Sequence, residues 1–396
     1  MKHLFFALAL AALAACATAD TEDADTPDEV VLSPASWSDL PGWRRDQIAD
    51  IRPALNRSCD RIGRLSATRN IGPDGIGGTA GDWQVICDQL QNTPDQNLRP
   101  VIEQILQPYR VTGTVSGETG LFTGYFEPSL NGSLTQTGPY QTPIHGRPDD
   151  LVMVQLGGFR DDLRGRRIAG RVQDGRLTPF EDRAEIVDGA LPSDTPVLAW
   201  AADPIDVFFL EIQGSGRVNL PDGDQLRIGY AGQNGHPYVP IGRTLIDEGE
   251  LTRENVSLQS IREWLADNPA EAQRVMNTNP SYVFFREIEG DGPIGAEGVA
   301  LTPGRSLAVD RSIMPLGVPM FLDADDPLDP TQRFQRLMMA QDTGGAIRGA
   351  VRGDVFWGDG AEAELRAGKM RSSGRYWLLL PRSLGGQQLA VAQEAQ

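Results

Sequence analysis

The chain is short of the residues that hold transition metals. It has 396 residues but only three histidines and three cysteines, and one of those cysteines, Cys16, ends an N-terminal leader. No spaced ligand set of the zinc type remains, which argues against a zinc hydrolase, and no metal or other cofactor is expected. Positive charge is scarce as well. Thirty-six Lys and Arg against 54 Asp and Glu give a net charge of −18, which opposes bulk attraction to nucleic acid or an anionic lipid surface. Any anionic partner has to be met locally, by particular arginines.

Two common hydrolase signatures are also missing. There is no Ser-His-Asp pattern, and "GSG" at 214–216 lacks the strand-to-helix elbow of a serine hydrolase. A single "DTG" occurs at 342–344 with Gly345 after it, and no second copy exists to share a proton as the aspartic protease pair does.

Long apolar runs are absent beyond residue 15. The one that exists, "LFFALALAALAA" after Lys2, is too short to span a bilayer as a mature helix and has the length of a secretory signal core. It ends in "LAAC", Leu13 to Cys16, which resembles the lipobox of bacterial lipoproteins, with Cys16 as the lipidated new N-terminus and Ala17 fitting outer-membrane sorting. An ordinary signal peptide with an incidental cysteine is the alternative. Residues 20–29 hold six acids and no Lys or Arg, so 16–36 reads as a tether. In an oxidising compartment Cys59 and Cys87 are expected to pair, with two separate buried thiols as the alternative. Closing that loop would contribute about 3 kcal/mol.

From Trp37 to Tyr109 apolar residues repeat at helical spacing in "DLPGWRRDQIADIRPALNRSCDRI", "GDWQVICDQLQ" and "RPVIEQILQPYR". From Val111 to Leu251 the composition turns to Gly, Pro, Asp and β-prone runs, including "PVLAWAADPIDVFFLEIQGSGRVNL". Helical patterns return around Leu258–Leu265 and "AEAQRVMNTNP", and strands follow from Tyr282 onward. Helices and strands in blocks imply β-rich domains with helices attached, not a doubly wound parallel sheet.

The chemistry-bearing stretches are rich in glycine. In "QDTGGAIRGAVRGDVFWGDG" three aspartates, Asp342, Asp354 and Asp359, stand among glycines that let a ligand approach the backbone. Asp354, just before "VFWG", sits where aromatic neighbours can raise a carboxyl pKa, as a general acid requires. Turn residues and an exposed strand acid would read the same way. "TGYFEP" offers Gly124 with the stacking surfaces Tyr125 and Phe126. "IQGSG" offers the neutral polar groups of Gln213 and Ser215, read as lying at the end of an apolar strand. "GYAGQNGHP" adds Tyr230, Gln233, Asn234 and His236, the last read as a turn residue. Neutral donors on a close backbone suit a sugar.

Taken in order from Gly117 to Pro381, "TGYFEP", "AEIVDGAL", "IQGSGRVNLPDG", "YAGQNGHPYVPIGRTLID", "NPSYVFFRE", "DRSIMPLGVPMF" and "QDTGGAIRGAVRGDVFWG" resemble the MltA family of membrane-bound lytic murein transglycosylases. The resemblance implies a mainly β protein with helices, in two domains separated by a groove. One is a double-psi β-barrel domain (37–128 and 285–385, with the N-terminal helices) and the other an inserted β-rich domain (129–284). These follow a signal peptide (1–15) and a lipidated tether (16–36), and precede a loose tail (386–396). It implies non-hydrolytic cleavage of the β-1,4 bond between N-acetylmuramic acid and N-acetylglucosamine, leaving 1,6-anhydromuramyl ends. Asp354 is then the catalytic acid and base, with Asp342 and, less directly, Asp359 as supporting carboxylates. Gly124, Tyr125, Gln213, Ser215, Tyr230 and Arg348 would bind the glycan. "RGAVRGD" is about one residue longer than the usual family form. The implied partners are peptidoglycan strands, the outer membrane through Cys16, and other murein-synthesis or hydrolysis proteins, with the enzyme facing the periplasm of a Gram-negative cell. A non-catalytic murein-binding lipoprotein and a two-carboxylate murein hydrolase are the alternatives.

Overall fold

The computed structural model describes residues 28–163, 166–290 and 292–384. The leader, Cys16 and the tail 386–396 lie outside the described residues.

Six strands close into a ring. In ring order they are Gly120–Glu127, Arg371–Pro381, Pro319–Asp325, Arg333–Asp342, Ser306–Val309 and Arg352–Asp359, which pairs back onto Gly120–Glu127. Two contacts are parallel, Ser306–Val309 with Arg333–Asp342 and Arg352–Asp359 with Gly120–Glu127; the others are antiparallel. The alternation of each strand puts residues such as Phe122, Leu307, Met320, Val355 and Tyr376 into one core, every one of them fully buried. The last strand does the most pairing. Its start bonds Gly120–Glu127, its middle Pro319–Asp325 and its end Leu106–Gly113.

Helices Arg52–Ile62 and Ala80–Gln91 pack beside this barrel, and Cys59 is bonded to Cys87 across them, with 5.2 Å between the Cα atoms. Thr79 caps the second helix reciprocally with Asp82. The helix expected over "RPVIEQILQPYR" stops at Ile105, and Leu106–Gly113 is a strand. Pro108 carries no N–H and could not continue a helix there. The tether also ends sooner than expected. Val30–Pro34 is a strand on Leu106–Gly113, and Asp28 accepts hydrogen bonds from the N–H groups of Val115, Ser116 and Ala350. Although burial opposes ionisation there, those donors hold the Asp28 carboxyl down to about 2.

A second six-stranded sheet is built from strands between Ser129 and Glu287, ordered Val283–Glu287, Gln225–Gln233, Ser215–Asn219, Ser129–Ser133, Val197–Ala201 and Thr142–His145. A bridge from Gly146 to Phe285 brings its two edges together. A three-stranded sheet (Val152–Gln155, Arg167–Gln173, Arg176–Pro179) and the helices Leu258–Asp267 and Pro269–Asn277 complete this lobe. "PIDVFFLEIQ", expected as a strand, is the helix Pro204–Gln213. Asp203 caps it by accepting from the Ile205 N–H, Pro204 occupies its first turn, and Gly214 ends it in the left-handed region at φ 77°. Gly360–Lys369, in a stretch read as strands, is a helix as well.

The lobes are tied at Glu127, which is 1% exposed. It accepts from Arg217 Nε at 2.8 Å and Arg227 Nη2 at 3.0 Å.

Candidate active site

Strand register lines up the carboxylates. Ala308 is paired with Asp342 on one side and with Asp354 on the other, and Asp354 is paired with Thr123. Asp342, Ala308, Asp354 and Thr123 therefore form one row across four adjacent strands, with about 10 Å between the backbones of the two aspartates. Val355 and Phe122, their neighbours in sequence, fill the barrel core. By alternation the row lies on the outer face of the barrel.

Each carboxylate is fixed by short, definite contacts. The Thr123 hydroxyl donates to Asp354 Oδ1 at 2.8 Å, and Thr123 is itself held by Arg352 Nη2 at 2.8 Å. Arg352 also reaches the Leu121 carbonyl, at 3.2 Å. The Tyr125 O–H donates to Asp342 Oδ2 at 2.7 Å, and the Ala296 N–H donates to Oδ1 at 2.8 Å. Tyr125 is braced by Phe356, with ring centroids 5.3 Å apart.

The two acids respond differently to this setting. Desolvation pushes Asp354 up to about 6, outweighing the nearby Arg352 guanidinium and the Thr123 hydrogen bond, while the Asp342 charge adds to the rise. Asp342 is raised by burial too, but the Tyr125 hydroxyl and the N–H groups of Thr343 and Ala296 offset part of it. Asp354 is thus a carboxyl able to carry a proton near neutral pH, while Asp342, also raised by burial, has a donor on each of its oxygens. Tyr125 is driven well above its ordinary value by burial and by Asp342, so it stays a donor.

Behind Asp342 runs a buried polar chain. The Glu297 N–H donates to the Gln341 carbonyl at 2.9 Å, and its side chain accepts from Ser58 Oγ at 2.7 Å. Gln341 Nε2 donates to Ser58 Oγ and to the Ala54 carbonyl. Burial raises Glu297 to about 7 against the pull of Ser58 and Arg61. The loop that presents Ala296 to Asp342 is thereby anchored to helix Arg52–Ile62.

The other expected residues fall into two groups. Gly124 and Gln213 adjoin the row. A Cβ at Gly124 would come within 2.5 Å of Trp357 Nε1, so this glycine permits close packing, and Gln213 Oε1 accepts from the Phe126 N–H at 3.1 Å from the end of its helix. Ser215 is buried at the start of its strand. Tyr230, Arg348 and Asp359 are engaged elsewhere: Tyr230 lies beneath the Arg167 guanidinium, Arg348 reaches Asp310 at 3.4 Å, and Asp359 pairs with Arg217. None of these three is hydrogen-bonded to Asp342 or Asp354. His236 Nε2–H donates to the Phe180 carbonyl, and Asn234 Nδ2 donates to the carbonyls of Glu181 and Pro280, so both hold loops.

Thr123, Arg352 and Ala296 were not singled out from the sequence. For the first two the signal was present: Thr123 lies two residues from Tyr125 and Arg352 two from Asp354, so each pair shares a strand face. Ala296 and Glu297 carry no such mark. Among the described residues no group of three or more His, Cys, Asp or Glu is placed to hold a metal, and no helix is long and apolar enough to cross a membrane.

Known proteins resemble this chain in sequence and in fold. Residues 121–286 match the MltA specific insert domain and residues 305–380 the 3D domain. Membrane-bound lytic murein transglycosylase A of Escherichia coli K12 is 32% identical over 389 residues, 96% of this chain and 95% of that protein. The crystal structure of a membrane-bound lytic murein transglycosylase from Agrobacterium tumefaciens superposes with a TM-score of 0.80 at 36% identity, covering 91% of this chain and 99% of the other. The E. coli MltA structure with bound chitohexaose matches at a TM-score of 0.62 and 29% identity, over 90% and 95% of the two chains. The curated relative over nearly the whole chain and the two family models together show that the chain belongs to the MltA family of membrane-bound lytic murein transglycosylases.

Proposed function

We propose that this protein cleaves the β-1,4 bond between N-acetylmuramic acid and N-acetylglucosamine in peptidoglycan without water, with Asp354 as the single acid and base. The observation that carries this reading is the pairing of one protonatable carboxyl, Asp354, with a hydrogen-bonded neighbour, Asp342, that lacks a free role as a second base. Protonated Asp354 gives its proton to the glycosidic oxygen as the bond to the anomeric carbon breaks. The positive charge that develops on the ring is stabilised by the negative field of Asp342. The C6 hydroxyl of the same muramic residue then attacks that carbon, and its proton passes to the Asp354 carboxylate, restoring the acid. Because the nucleophile is intramolecular, the water-activating carboxylate of ordinary glycosidases is not needed.

The glycan would run between the barrel and the insert, beside Tyr125 and Gln213. The bound chitohexaose of the E. coli relative supports a glycan ligand. The mixed parallel and antiparallel ring supports a double-psi barrel, with the insert taken as 129–284. Lipidation at Cys16 and residence at the periplasmic face of the outer membrane fit the sequence of the leader. Digestion of purified sacculi followed by mass spectrometry tests the reaction: 1,6-anhydromuramyl products that disappear in Asp354→Asn are expected, and reducing muramic ends in their place would overturn it.

A further inference from the structure

Leu121, two residues before Thr123 on the same strand face, opens onto a cleft of about 690 Å³ between the lobes. Its other walls come from the insert, with Phe209 and Ile212 of helix Pro204–Gln213 facing Ile246, Val256 and Leu258. Walls of this kind offer few hydrogen bonds, so a pyranose ring would leave its hydroxyls desolvated and unpaired there. Aliphatic side chains would lose nothing.

Three arginines also line the cleft, Arg243, Arg253 and Arg371. Arg371 Nη1 donates to the Arg253 carbonyl at 3.4 Å, so the two residues are adjacent, and both side chains are exposed. Neither is ion-paired with a carboxylate among the described residues, although the chain has 54 acids for 36 bases. The one acid in the lining, Asp247, has Arg243 beside it at 3.7 Å. An apolar wall with two unneutralised arginines is complementary to a short peptide that carries small aliphatic groups and carboxylates.

Position narrows the source of that peptide. Arg371 is paired in register with Thr123, which is paired with Asp354. Two strand steps, about 10 Å, therefore separate the backbone of Arg371 from that of the general acid. In murein, the peptide is attached through the lactyl ether of the muramic ring, the ring whose anomeric carbon is attacked. It begins next to the scissile bond and not further along the glycan.

We propose that this cleft receives the acidic peptide borne by the muramic residue, its aliphatic groups against Leu121, Ile212 and Val256 and its carboxylates at Arg253 and Arg371. The inference rests on the murein reading of the site. It makes the cleft a specificity element that distinguishes peptide-bearing from peptide-free glycan.

The test uses the full chain with two substrates, muroglycan oligosaccharides carrying their peptides and the same oligosaccharides stripped by an amidase. The parent should show a KM on the peptide-bearing form about tenfold lower, as one lost charge-assisted contact of about 1.4 kcal/mol would give. Arg253→Glu and, separately, Ile212→Ser should raise that KM about tenfold and leave kcat and KM on the stripped form unchanged, which also shows that the variants fold. Equal KM values on both substrates in the parent, or variants that lose both substrates alike, would overturn the proposal. If neither substrate yields anhydro products, the murein reaction fails instead. Calorimetry with the free peptide then decides the cleft by itself: binding that Arg253→Glu abolishes supports it, and no binding by the parent rejects it.

Discussion

Two aspartates of the same domain, Asp46 and Asp354, show what separates a structural carboxylate from a working one. Asp46 is enclosed, with Arg305 donating to both of its oxygens at 2.9 Å and the Leu337 N–H adding a third bond at 2.7 Å. The two side chains are 1% and 2% exposed. Asp354 has no ion pair among the described residues. Arg352 is near enough to be felt, but its donors go to Thr123 and to backbone carbonyls. Burial with full neutralisation makes a brace. Burial with incomplete neutralisation leaves a proton to be exchanged, and such a group is held in place only because the surrounding fold determines its position.

That contrast can be broken from either side. Asp354→Asn should lower kcat by about 10³-fold to 10⁴-fold, read as anhydromuramyl release, with a melting temperature equal to or above the parent's, because an uncompensated buried charge is removed. A lowered melting temperature would make Asp354 another brace. Asp46→Ala should behave in the opposite way. It strands the Arg305 guanidinium and should cost about 3–5 kcal/mol in urea unfolding.

Smaller changes sharpen the picture. Tyr125→Phe removes the donor to Asp342 without altering the ring packing on Phe356, and should reduce kcat/KM by roughly tenfold to hundredfold, the equivalent of about 1.5–3 kcal/mol for a hydrogen bond to a charged group. The pH dependence follows from Asp354 at about 6 against 3.8 for an ordinary aspartate. The acid must start protonated, so kcat/KM should hold below pH 6 and fall up to about tenfold per unit above it. Stability has the same sign. The folded state binds the extra proton between pH 3.8 and 6, so this group's contribution is greatest below that window and is lost as pH rises through it. Unfolding of the parent and of Asp354→Asn across pH 4–8 should diverge accordingly. Asp359→Asn is the mildest change. Asp359 is 43% exposed and shares Arg217 with Glu127, so less than about 1 kcal/mol and no measurable loss of activity is expected.

Much of the site was readable before any fold was known, and the reason is local. Asp342, Asp354 and Tyr125 lie in glycine-rich strand segments whose order along the chain is distinctive. Helix Pro204–Gln213 was misread because it is buried nearly all round, from Ile205 through Glu211. An all-round apolar run shows no 3.6-residue period and looks like an inner strand. The Asp203-Pro204 start and the Gly214 stop were the overlooked signals. Glu297 was beyond reach for a different reason. Its role depends on Ser58 and Gln341, 239 residues apart from the first, and on burial that only the closed barrel produces. Register, which sets Asp354 between Ala308 and Thr123, is likewise a property of pairing between distant strands.

The final strand, Arg371–Pro381, joins three others and closes the ring. Its partners begin at Leu106, more than 250 residues earlier in synthesis, so no intermediate length of chain can complete the barrel. Thr123, the hydroxyl that positions Asp354, sits on the strand whose free edge that closing segment covers. A site built this way is complete only once the segment Arg371–Pro381 has docked beside the strand that carries Thr123.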